Sequence, residues 1–79
     1  MPRYFFDLSN GDGLTRDEMG MTLPTDRDRL LKEVSRILTD VAREELPEGP
    51  NGGISVSVRD EDGETILVGS LDFQTEWRT

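Results

Sequence analysis

Hydrophobic and polar positions alternate along two parts of this chain and recur with a helical period in a third. The opening RYFFDL places Tyr4, Phe6 and Leu8 on one face and Arg3, Phe5 and Asp7 on the other, which predicts a strand. SNGDG follows, rich in residues that tolerate the backbone of a tight turn. LTRDE then returns as a short polar second strand, and MGMTLP is an extended approach that offers Met21 and Leu23 to a core. Thr25 reads as an N-cap with Asp28 three residues on, a weaker form of the capping box. Leu30, Leu31, Val34, Ile37, Leu38, Val41 and Ala42 form an apolar helical stripe. Lys32, Glu33, Arg36, Asp40, Arg43 and Glu44 lie opposite, so one face meets a sheet and the other meets water.

Pro47 stops that helix, and PEGPNGG is an irregular connection. ISVSVR alternates again, with Ile54, Val56 and Val58 inward and Ser55, Ser57 and Arg59 outward. DEDG is a second hairpin turn. ETILVGSLDF is a last strand that is apolar on both faces, Ile66 and Val68 opposite Leu67 and Leu71, with Gly69 marking a bulge or a close contact. The layout is an α+β fold of order ββαββ: one amphipathic helix on one face of a four-stranded, mainly antiparallel sheet, residues 1–79 forming a single small domain. The aromatic first strand belongs near the centre and the polar second strand at an edge. Whether the first strand neighbours the third or the fourth is open.

Composition narrows the chemistry. With neither cysteine nor histidine among 79 residues, disulfides, thiolate metal sites and His-dependent acid–base or nucleophilic catalysis have no residues to work with. We therefore expect no enzyme, no catalytic residue and no cofactor. A net charge of -8 makes nucleic acid and anionic membrane surfaces poor partners and a basic protein a better one. The N-terminal segment has neither an apolar core nor a cleavage site, and no run approaches spanning length, so we expect a cytoplasmic protein.

The acidic first turn invites a test as a calcium loop. Aligning Gly13 with the glycine of the twelve-residue loop puts Asn10 and Asp12 at coordinating positions but Leu8 and Met19 at the two anchors, and DEDG fails in the same way. The topology also sets the two turns at opposite ends of the sheet. The first turn therefore reads as a hairpin turn, with Asp7, Asp12, Asp17 and Glu18 as weak metal-ligand candidates. A small-ligand or weak divalent-metal domain using these carboxylates is the alternative to the preferred reading, a non-catalytic interaction or regulatory module that self-associates. The surface expected for a homodimer is the sheet face that the helix leaves open, carrying Phe5, Ile66 and Val68, with Trp77 just beyond the last strand. A tail folded back over that face is the competing arrangement.

Taken together, MPRYFFDL, NGDG, RDEMGMTLP and VRDEDG resemble the short alphaproteobacterial, especially rhizobial, proteins that begin MPRYFFHL and carry a domain of unknown function. The resemblance spans nearly the whole chain. It implies a small cytoplasmic domain and supplies no activity to carry over. Asp7 stands where those proteins often have histidine, so a site built on that histidine would not carry over to this chain. The layout is also similar, more loosely, to that of the HicB-type antitoxins, which would imply a basic partner protein.

Overall fold

The computed structural model describes residues 1–10, 13–44 and 51–78. Strand β1 (Arg3–Asn10) leads to β2 (Gly13–Thr15) and β3 (Met21–Thr22), then to the single helix α1 (Arg27–Glu44), and finally to the long pair β4 (Asn51–Arg59) and β5 (Thr65–Gln74). Every pairing is antiparallel. The sheet runs β2-β1-β4-β5, with β3 also on β1. The α+β class and the ββαββ order hold, and the neighbour of the first strand proves to be β4.

The expected second strand LTRDE is strand only as far as Thr15, and the extended approach MGMTLP supplies a further short strand. Residues 13–15 pair with the C-terminal part of β1 and residues 21–22 with its N-terminal part. Both lie along one edge of β1, because β4 occupies the other. The interruption has a cause in Asp17, described below, and it raises the strand count from four to five.

Register assigns the faces. Phe6 opposes Val58 and Leu8 opposes Val56; beyond them Val58 opposes Leu67, Val56 opposes Gly69 and Ile54 opposes Leu71. These residues face the helix. The core is Tyr4, Phe6, Leu23, Leu30, Val34, Leu38, Val56 and Val58, with Leu8, Ile37, Ile54 and Leu67 packed partly against it. The helix packs on β4 and β5 rather than over the middle of the sheet. It comes so close to β5 that a Cβ on Gly69 would fall 2.5 Å from Val34 Cγ1. The bulge lies elsewhere, where Arg59 opposes Thr65 and Val58 opposes Leu67, leaving Ile66 unmatched.

Two expectations about the helix need correction. Its N-cap is Asp26, not Thr25: Asp26 Oδ1 accepts from the Asp28 N–H at 3.0 Å, and its carbonyl accepts from Leu30 N. Thr25 instead takes a hydrogen bond from the Tyr4 hydroxyl, 3.3 Å away, tying the helix entry to β1. Leu31 is half exposed and does not join the core. On the outer helix face Arg36 pairs with Glu33 and Asp40. The stop at Pro47 lies outside the described residues.

Candidate functional site

Two features of the sheet carry more chemistry than the rest: a polar knot on the open face at β1, and the outer strand β5.

The knot begins with the gap between β2 and β3. A continuous edge strand would satisfy the Phe6 N–H of β1. Here Asp17 does so with its side chain, Oδ2 accepting from Phe6 N at 3.0 Å. Its Oδ1 accepts from Met19 N and Gly20 N at 3.1 and 3.0 Å, closing the turn on itself. Gly20 is required there by φ of +73° and by space, since a Cβ would lie 2.8 Å from Arg3 Cγ and 2.9 Å from Phe5 Cε1. Asp7, on the next open-face position of β1, is 8% exposed. It accepts from Asp17 N at 2.9 Å and from Arg59 through Nε at 2.6 Å and Nη2 at 3.1 Å. Arg59 reaches across from β4, donates also to the Asp17 carbonyl at 2.9 Å, and lays its guanidinium 4.9 Å above the Phe5 ring.

The electrostatics follow from these bonds. The two-pronged bond from Arg59 holds the Asp7 carboxyl below the usual range, against the opposing pull of burial. For Asp17 burial is the largest single influence and pushes it up, but the N–H groups of Gly20, Phe6 and Met19 together outweigh it and hold the group low. Asp7 in turn raises the pKa of Arg59. Both carboxylates are thus charged, and both are engaged in ordering backbone and in an ion pair.

That accounts for the weak metal candidates one by one. Asp7 and Asp17 come together, but around N–H donors and a guanidinium. Glu18 is exposed, Asp12 lies outside the described residues, and among the described residues no three acidic side chains are grouped as ligands. The register also separates the two acidic turns, since the end of β1 opposes Ser55 while the end of β4 opposes Phe5. The second turn is organised by Asp60, whose Oδ1 accepts from Asp62 N and Glu64 N, each at 2.9 Å.

The four expected interface residues fare unevenly. Phe5 is half-buried beneath Arg59. Ile66 and Val68 are exposed, 45% and 61%, but β4 sets Ser57 and Arg59 between them and β1. Trp77 is 93% exposed, beyond the end of β5. The apolar surface is concentrated on β5 itself, where Leu71 and Phe73, 42% and 43% exposed, join Ile66 and Val68. They come from both faces of one strand whose outer edge pairs with nothing among the described residues. Sequence reasoning missed Leu71 and Phe73 as surface residues and Arg59 as the partner of Asp7. Both depend on which strands are neighbours, and alternation within a strand does not carry that information.

No helix among the described residues is long and apolar enough to cross a membrane. Neither the curated proteins nor the solved structures include a match to this chain. One family model does match, spanning residues 3–72, from the first residue of β1 to Asp72 in β5, and it takes in the polar knot and most of the exposed strand. By that match the chain belongs to the family described as a domain of unknown function, DUF6894.

Proposed function

We propose that this domain is a non-catalytic protein-interaction module that assembles into a homodimer. The observation that supports this reading best is the placement of exposed apolar side chains. Ile66, Val68, Leu71 and Phe73 all lie on β5, a strand of ten residues at the edge of the sheet. Exposed apolar groups gathered in this way mark contact surfaces, whereas scattered ones do not. Size supports the same reading, because 79 residues without a disulfide enclose a small core and gain from further burial on association. The only buried ionic group among the described residues, Asp7 with Arg59, is used to fix backbone at the β2–β3 gap, a structural task.

Sedimentation equilibrium over a wide concentration range tests the reading. A dimer mass that dissociates on dilution is expected. Val68→Glu, at an exposed position that the core does not need, brings further negative charge into the contact and should shift the equilibrium to monomer while leaving the far-ultraviolet circular dichroism unchanged. A monomer mass for the natural sequence at every concentration would refute it.

A further inference from the structure

We infer that two copies join edge to edge, β5 against β5, about a two-fold axis at Ser70, making one continuous antiparallel sheet. This rests on the self-association just proposed and specifies its geometry. The first support is the character of the edge. Native edge strands are blunted by lysine, proline, inward charges or short length. Thr65–Gln74 has ten residues, no proline, no basic residue and a single charge, Asp72, on a chain with 17 acidic side chains. Its one irregularity, the unmatched Ile66, lies near its first end and leaves Leu67–Gln74 regularly paired with β4. A nearly uncharged strand of an acidic molecule thus lies at the edge of the sheet, where two like-charged copies can approach at low electrostatic cost.

The second support is self-complementarity. An antiparallel pair about Ser70 opposes Leu67 to Phe73 and Gly69 to Leu71, twice each by symmetry. All four lie on the helix side of the sheet, so exposed Phe73 gains Leu67 as an apolar partner and exposed Leu71 lies opposite a glycine that leaves room for it. On the open face Val68 opposes Asp72, Ile66 opposes Gln74, and Ser70 meets its own copy. No carboxylate opposes another within the strand. Shifting the axis to Val68 would oppose Glu64 to Asp72, and shifting it to Gly69 would set Phe73 against Thr65.

The third support is the helix. Because α1 packs on β4 and β5, its axis would stand about 5 Å from the new strand boundary, given strands about 4.8 Å apart. Pairing of like faces puts both helices on one side, about 10 Å from each other, the upper end of ordinary helix–helix packing distances. A helix centred over β1 would have left a gap there.

The absence of cysteine makes a clean test possible. Ser70→Cys would place two Cα atoms directly opposite, roughly 4.5–5.5 Å apart, within disulfide range. Ser55 shares its row on the open face but sits one strand inward, so Ser55→Cys would leave its copies about 14 Å apart across three strand spacings, beyond bridging. Each variant is oxidised at a concentration where sedimentation shows the natural chain dimeric, then run on a non-reducing gel. Ser70→Cys should cross-link almost completely and Ser55→Cys hardly at all. Cross-linking of Ser55→Cys with Ser70→Cys remaining monomeric on the gel would place the two-fold on the open face and overturn the edge geometry while self-association stood. A monomer by sedimentation would remove self-association itself.

Discussion

Asp17 makes three backbone bonds at the one place where β1 has no strand beside it. Removing that acceptor leaves the N–H groups of Phe6, Met19 and Gly20 to find water in a partly buried site. Asp17→Ala should therefore cost about 1–3 kcal/mol, the penalty for stranding such donors, read from urea denaturation; a midpoint within error of the natural chain would mean that the turn is held by something else. The pH dependence has a definite sign. Asp7 and Asp17 both lie below the ordinary value of 3.8 in the folded chain, so the stability they contribute is complete above that value and is lost as pH falls from it through their lowered values. Asp7→Asn should reduce this acid loss, visible as a shallower decline of melting temperature below about pH 4. An unchanged acid limb would show that the Arg59–Asp7 pair does not govern it. None of this was legible from residue order. Asp7 and Asp17 read as weak ligand candidates and Arg59 as an outward-facing charge until β4 is known to lie beside β1.

Helix α1 was the most legible element, because a period of 3.6 over 18 residues leaves little choice about which face is buried. Leu38→Ala should cost about 2–5 kcal/mol, as for other large-to-small core changes, a large share of the stability of so small a domain. Leu31→Ala, on the same stripe but half exposed, should cost less than about 0.5 kcal/mol. Equal losses would mean that the stripe is buried as a whole. The contact of the helix with β5 gives a sharper check. Gly69→Ala puts a methyl against Val34 and should destabilise by about 1–3 kcal/mol. Val34→Ala in the same chain should return part of that loss, a coupling measurable by a double-mutant cycle. Additive effects would mean that the two positions are not in contact. The N-cap was misassigned by one residue because Thr25 and Asp26 both suit it, and the tie is broken by a tertiary bond from Tyr4 that no local rule contains. The split of the second strand was hidden for a similar reason: RDE between two extended segments reads as more strand until Asp17 is seen to replace one.

At the scale of the whole molecule the chain is elongated, with principal extents of 53 × 24 × 19 Å. The helix covers part of the long β4–β5 pair, and the rest of β5 is left exposed. The fold class, the strand alternation and the exposure of Ile66, Val68 and Trp77 were readable; the exposure of Leu71 and Phe73 was not. An open face dotted with Phe5, Ile66 and Val68 looked like the natural contact, but Arg59 covers Phe5 and serines fill the row Ser9–Ser55–Ser70, so the apolar surface falls to the edge strand instead. The central claim is that this edge is filled by a second copy, and amide hydrogen exchange at two protein concentrations tests it most directly. In a lone chain the outward N–H groups of β5 face water and exchange freely, while those paired with β4 are protected. Edge pairing predicts that protection within Leu67–Gln74 rises with concentration at alternate residues, and rises there more than in α1 and β1, which gain only the general stabilisation of association. Exchange from β5 that stays the same at dilute and concentrated protein would contradict the account.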